Sequence, residues 1–455
     1  MRPMRKPHLA ALFLLLAATV AHALDSVPQS EYRQRRIALA EKLKGGAALL
    51  FAAEEPQLDF MPYRQDEDFY YLSGWNEPGA ALLIISAGPA SIDRLGTQIP
   101  EHSYREVLFL PARNLVTEKY TGTKMDAATK DVTEKTGFAE VMSMSSLPQV
   151  LGSFLAEDRR RASSLFTQTD MPSAHAAVEF TGTTLGNSGL SAKEVRPLLI
   201  PQRMVKSDAE IDLLRKAAVA SAAAQKAGMK AIRPGVRERT IAGLELAKML
   251  EGGCERPSYA PIVGSGINST TLHYSSNEAT MEKGDVVVID AACEYSMYAS
   301  DITRTMPIGG KFTPRQRELY EIVLGAHRAA AAAFVAGKMR LGSVNQRGPE
   351  VTDTLDKIAY EYINTHGKDL HGEPLGKYFL HGLGHHVGIN VHDPYDPAKP
   401  LDKGNVFTIE PGIYIPEEKI GIRIEDTYYV DADGKLVNLT TNLPVDTNSV
   451  EAGMR

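Results

Sequence analysis

Val286-Val287-Val288-Ile289-Asp290 reads as a β-strand ending on an acid, and Ser300-Asp301-Ile302-Thr303-Arg304 sets a second acid inside another β-rich run soon after. The turn between them predicts a β-hairpin, with Asp290 and Asp301 brought together across the pair. Alone, an acid at a strand end is ordinarily a turn former or a helix cap. Yet a lone charge buried among apolar strand residues is costly, and the pattern recurs. Phe407-Thr408-Ile409-Glu410 stops at Pro411-Gly412, and Gly421-Ile422-Arg423-Ile424-Glu425 reads as a further strand. There the period of two puts Arg423 and Glu425 on one face and Ile422 and Ile424 on the other. Four acids embedded in apolar strands share a need for one cationic partner.

The histidines cluster in His381-Gly382-Leu383-Gly384-His385-His386-Val387-Gly388, followed by His392-Asp393. Two glycines between His381 and His385 argue against the helical H-E-x-x-H zinc arrangement. A Gly-rich turn instead lets backbone approach a ligand closely. One histidine is expected to bind metal and others to handle protons, since imidazole titrates near neutrality. His386 is set aside as structural, and His273, in Thr270-Thr271-Leu272-His273-Tyr274, stands apart. Asp290, Asp301, His385, Glu410 and Glu425 form a hard, oxygen-rich donor set, suited to a pair of divalent ions such as manganese rather than a lone structural zinc. Without cations these carboxylates would repel one another and take up protons. Two dications would nearly cancel the charge and acidify a bound water.

At 455 residues the chain is expected to form roughly two or three domains. It is 43% hydrophobic and 23% charged, a globular composition. Net charge is −6, and the first 23 residues carry Arg2, Arg5 and Lys6 with no acid, so the remainder is more acidic still. That argues against nucleic acid as the main partner. The basic start, the apolar run 9–20 and Ala21-His22-Ala23 match a cleaved export signal. The run is short for a membrane span. The expectation is an exported protein without stable membrane insertion, periplasmic if the source is Gram-negative. Cys254 and Cys293 are the only cysteines. Two buried free thiols are expected, with a bridge between them the open alternative. There is no G-x-S-x-G elbow and no P-loop.

Along the chain, an amphipathic helix is predicted at 31–43, strands at 47–52, 79–86 and 106–110, and helices at 125–136 and 147–158. This alternation suggests a small α/β domain over 24–200. Pro197 and Pro201 mark a boundary near 195–206, after which Ser207 and Glu210 form a capping box. Helices follow to Ile232, at 239–251, 314–336 and 350–366, within a second domain over 201–455.

With these motifs in hand, the C-terminal half resembles the creatinase/methionine aminopeptidase, or pita-bread, metallopeptidases. The whole chain resembles the bacterial Xaa-Pro aminopeptidase (aminopeptidase P) group. The segment from Tyr63-Arg64-Gln65-Asp66-Glu67-Asp68 to Pro78 looks like that group's amino-terminal signature. His273-Tyr274, Asp290, Asp301, the 381–388 turn, Val391-His392-Asp393, Glu410-Pro411-Gly412 and 422–426 match its catalytic domain in order. The resemblance implies an α/β and α+β protein with a pita-bread catalytic domain. It implies that Asp301 and Glu425 bridge two metals, with Asp290 completing one site and His385 and Glu410 the other. His273, His381, His392, Arg423 and Tyr414 match positions that line the substrate site and assist proton transfer. The implied activity is release of the N-terminal residue from peptides with proline second. The rivals are a prolidase limited to Xaa-Pro dipeptides and a non-catalytic peptide-binding module on the same fold. A homo-oligomer is implied as well.

Overall fold

The computed structural model describes residues 25–55, 63–92, 98–99, 101–157, 165–184 and 191–455. The 1–23 segment read as an export signal lies outside the described residues. In the amino-terminal part, Ala47–Phe51 and Ala81–Ile85 are buried along their whole length and pair antiparallel. Continuous apolar runs of this kind require cover on both faces. The helix Gln29–Leu43 buries Tyr32, Leu39 and Leu43 on one side, while Leu147–Glu157 supplies Leu151 and Leu155 to a second cluster on the other. The resulting six-stranded sheet is mixed, with Arg105–Leu110 beside Ala81–Ile85 and Leu165–Thr167 parallel to Ala47–Phe51.

The predicted helix at 125–136 shrinks to Val132–Thr136. Asp126 caps its own turn instead, its Oδ1 accepting from the Ala128 amide and the Thr129 hydroxyl. Such local side-chain bonds compete with helix. The helix expected from 350 begins at Leu355, because 353–355 pairs with Arg340 first. Pro201 does not mark the break: it lies inside the helix Arg196–Arg203, and the interruption falls at 204–207, where the Ser207 capping box opens Asp208–Ala231.

The C-terminal part packs four helices (Asp208–Ala231, Glu238–Glu251, Pro314–Ala333 and Leu355–His366) against short antiparallel sheets. One sheet joins Ile262–Ser265, Val286–Asp290 and Thr303–Pro307. A second joins Val406–Ile409, Asp426–Val430 and Leu436–Asn438, and a two-stranded ribbon pairs Gly412–Ile415 with Ile420–Arg423. The expected hairpin is more elaborate than predicted. Asp290 faces Thr303 across the ladder, while Cys293–Tyr295 and Tyr298–Ala299 fold out as a hairpin of their own. That small hairpin also pairs Cys293 with Pro257, which follows closely on Cys254. The two cysteines are therefore joined as a disulfide, not left as free thiols. Among the described residues no helix is long and apolar enough to cross a membrane. The architecture is a small α/β domain followed by a pita-bread domain.

Candidate metal centre

Each of the four acids sits where the chain leaves one strand for another. Asp290 ends its strand, and Asp301 falls between Tyr298–Ala299 and Thr303–Pro307. Glu410 lies between Val406–Ile409 and Gly412–Ile415, and Glu425 between Ile420–Arg423 and Asp426–Val430. At these crossings the backbone is released from one ladder before joining the next, so the side chains converge on the cleft between sheets. The predicted strand through Glu425 thus stops short of it, and Glu425 meets Thr303 in an isolated bridge.

His385 reaches the same point from the Gly-rich turn. The turn adds itself to the strand carrying Glu410: the Thr408 amide donates to the His385 carbonyl and the Glu410 amide to the Leu383 carbonyl. Gly384 is required here, because a Cβ would lie 2.1 Å from the Thr408 carbonyl oxygen. The close approach expected of the glycines is thus to backbone. His385 Nδ1 lies 3.1 Å from the His386 carbonyl, which can only accept, so Nδ1 carries a proton and Nε2 is the nitrogen turned to the acids, free to bind an ion once its own proton is displaced. That Nε2 is 3.3 Å from Asp301 Oδ2 and 3.5 Å from Glu410 Oε1. Ligand atoms of Asp301, His385 and Glu425 all lie within 4.8 Å of one another.

The outer contacts fix the carboxylates in turn. Tyr259 Oη is 2.5 Å from Asp290 Oδ1 and 2.6 Å from Asp301 Oδ1, spanning the pair. The Thr303 hydroxyl donates to Glu425 at 2.7 Å and the Thr408 hydroxyl to Glu410 at 3.2 Å. Arg423 spreads its guanidinium over three partners: Asp290 Oδ2 at 2.6 Å, Tyr414 Oη at 2.9 Å and Thr303 Oγ1 at 3.1 Å. It therefore braces Asp290 rather than its strand neighbour Glu425. Behind the strands, the buried Gln225 amide reaches the carbonyls of Ala291 and Ile302, one beside each aspartate.

The electrostatics are those of a site built for cations. Burial drives the Glu425 carboxyl well above its ordinary range, and Asp301, Glu410 and Asp290 add to the rise. Burial likewise raises Asp290 despite Arg423, and pushes Glu410 up to about 7 despite His385. Burial would lower the His385 imidazole, but its bond to Asp301 and the nearby Glu410 prevail and push it up to about 9. Carboxyls forced toward protonation by one another gain most from divalent cations. Four carboxylates and one imidazole whose Nε2 faces them fit such ions in type and charge.

The cleft encloses about 500 Å³ and is lined by all five donors together with His273, His381, His392 and Arg423. Tyr259, Ile262, Leu272 and Val391 give it an apolar wall. The His392 ring lies 3.9 Å from that of His385. His381 differs, because both its ring nitrogens are engaged: Nδ1 with the Gly382 carbonyl and Nε2 with Tyr414 Oη, each at 2.8 Å. Burial and then Arg423 hold it down to about 3, so it is a neutral ring presented to the cleft. Tyr414 is buried behind His381 and does not line the cleft, since its hydroxyl joins Arg423 to His381. His386 points away, stacked on Tyr395 at 4.6 Å. Tyr259, Thr303 and Gln225 escape sequence reading, because one Tyr after a two-residue strand, one Thr and one helical Gln carry no spacing signal.

The chain is similar to known proteins over nearly its whole length. The model of metallopeptidase family M24 matches residues 212–432, and that of the aminopeptidase P N-terminal domain matches 32–162. The Xaa-Pro aminopeptidase of Escherichia coli (strain K12) is 34% identical over 95% of this chain and 99% of its own. The Xaa-Pro dipeptidase of Pyrococcus furiosus is 36% identical, over 53% of this chain and 65% of its own. The solved structure of proline aminopeptidase P II from Yersinia pestis superposes with a TM-score of 0.79 at 32% identity, covering 94% of this chain and 99% of its own. With both domains matched and the acids gathered in one cleft, the chain belongs to metallopeptidase family M24, among its Xaa-Pro aminopeptidases.

Proposed function

We propose that the protein is an exported exopeptidase that uses two divalent ions, manganese by preference, to release the N-terminal residue of peptides whose second residue is proline. The observation that carries this reading is the convergence of Asp290, Asp301, His385, Glu410 and Glu425 in one cleft. Asp301 and Glu425 would serve both ions, with Asp290 completing one donor set and His385 and Glu410 the other. Ions held there would supply Lewis acidity.

The remaining groups orient and protonate. Proline has no amide hydrogen and a fixed φ, so selecting it means recognising shape. The apolar wall of Ile262, Leu272 and Val391 suits that ring, and the neutral His381 ring adds a further face. His392 and His273 are the imidazoles free to meet the substrate, and His392 is the better placed to move a proton at the scissile bond. Arg423 and Tyr414 act behind the cleft, by holding Asp290 and His381.

The prolidase reading is weaker, because the dipeptidase relative matches 53% of this chain while the aminopeptidase relative matches 95% of it. A peptide-binding module without catalysis would have no use for four mutually repelling buried carboxylates. Export is supported by the 1–23 pattern and by the Cys254–Cys293 disulfide, which suits an oxidising compartment. The protein is further proposed to form a homo-oligomer. Metal-stripped protein reloaded with manganese should cleave Xaa-Pro-Yaa faster than Xaa-Ala-Yaa or Xaa-Pro. Equal rates on the two tripeptides would overturn the proline reading, and preference for the dipeptide would install the prolidase one. N-terminal sequencing of protein from the producing cell should begin near Leu24. A chain that still starts at Met1 and pellets with membranes would overturn export.

A further inference from the structure

His392 is held by no helix and no ladder. Residues 388–392 form bends only, so the direction of its imidazole depends on whatever anchors their backbone. Two main-chain bonds tie the ends of the stretch, from the Ala299 amide to the Gly388 carbonyl and from the Asp393 amide to the His386 carbonyl. The side-chain anchor is the residue next to His392. Asp393 turns away from the cleft and is buried, with Arg203 Nη2 2.6 Å from Oδ1 and Lys206 Nζ 2.9 Å from Oδ2. Its carboxylate also fills the space above Gly388, where a Cβ would lie 2.7 Å from Asp393 Cγ.

The chain of contacts then crosses into the other domain. Arg203 Nη1 donates to Asp68 Oδ1 at 2.7 Å, and Asp68 belongs to the helix Glu67–Ser73 of the amino-terminal domain. From the same segment Arg64 donates to the Ile389 carbonyl at 3.0 Å. A buried, mutually paired set of ions is rigid, because each member strands another's charge if it moves. Two attachments from one short segment of the amino-terminal domain thus fall on the stretch ending at His392.

We propose that Asp68 and Arg64 of the amino-terminal domain, with Arg203 and Lys206, are positioning residues that set the His392 imidazole through Asp393 and the 388–393 backbone. The amino-terminal domain is then a working part of its own subunit's active site. This rests on the proton-transfer role proposed above for His392.

The test is a double-mutant cycle in the full-length, manganese-loaded enzyme, assayed on an Xaa-Pro-Yaa tripeptide. Lys206→Met leaves Asp393 still paired with Arg203. Arg64→Gln acts at a half-buried position, where it also releases Glu67 and Glu294, the latter keeping Arg256 at 3.8 Å, and it carries the test if Lys206→Met does not fold. Each should lower kcat roughly 10-fold or more, with bound metal unchanged and KM moved less. In a His392→Ala background the same changes should cost less than about 2-fold, because residues that act as one unit are not additive. An equal fold-loss in both backgrounds would overturn the proposal, leaving the network as interdomain glue. So would a loss confined to KM or to metal content, or no loss in either variant. A wild type that fails to cleave the tripeptide would count against the proposed function instead.

Discussion

Arg423 is the only Lys or Arg among the described residues lining a cleft that holds four carboxylates, and its bonds separate charge from geometry. Arg423→Lys keeps the positive charge and can keep the Asp290 contact, but a single ammonium cannot also reach Tyr414 Oη and Thr303 Oγ1. Neither hydroxyl is orphaned, since Tyr414 still donates to His381 and Thr303 to Glu425. The cost is therefore that of two hydrogen bonds from a charged donor, about 1.5 kcal/mol each at the lower end. Expressed wholly in the transition state, ~3 kcal/mol is roughly a 150-fold fall in kcat/KM. Arg423→Gln removes the charge as well and leaves Asp290 to its neighbouring acids, so it should cost more. The assay is kcat/KM on an Xaa-Pro-Yaa tripeptide at saturating manganese, with metal content measured on the same samples. Arg423→Lys within about 2-fold of wild type would refute the bracing role. A loss of activity in step with lost metal would refute the separation from the ligand set.

Three further outcomes follow from the same contacts. Asp301→Ala should abolish turnover and leave fewer than two ions per chain, measured by plasma emission, because Asp301 is proposed to serve both ions; wild-type metal content would remove it from the bridge. His386→Ala should keep most activity while His385→Ala does not, because His386 contributes its carbonyl, which accepts from His385 Nδ1 and from the Asp393 amide. Equal losses in a side-by-side assay would show that the His386 side chain matters. The Cys254–Cys293 bridge closes a separation of 39 residues, worth about 4 kcal/mol by loop-closure entropy. Reductant should lower the urea midpoint of the catalytic domain accordingly, and two titratable thiols in unreduced, denatured protein would refute the bridge.

Much of this site is legible in the sequence because its ligands break a local rule. Glu410 and Glu425 are acids in runs that otherwise read as buried strand, and such a conflict points to a shared partner. What the pattern hides is where each strand ends. A period of two continues smoothly through Ile422-Arg423-Ile424-Glu425, yet the ladder stops at Arg423 because the next residues must join a different sheet. Strand propensity carries no information about which sheet a residue will join. The cysteines fail for a related reason: Cys293 meets Cys254 only through its pairing with Pro257, a long-range register invisible to local reading.

The same distinction explains Arg423. Its shared face with Glu425 is correctly read from alternation, and the side chain does point into the cleft region. Alternation gives a direction but not a partner, and here two acids lie within that direction. Glu425 accepts from Thr303 and Asp290 from Tyr259, so each keeps one oxygen for a cation. The guanidinium lies 2.6 Å from that of Asp290, and its remaining nitrogens reach Tyr414 and Thr303 from the same position. The assembly is therefore braced from outside by neutral hydroxyls that reach all four acids and by one fixed cation on Asp290 as well. Such bracing limits how far any carboxylate can swing when an ion is removed. It favours a cleft that keeps its shape without metal, and a metal-stripped protein whose near-ultraviolet circular dichroism, unlike its activity, changes little on reloading would bear that out.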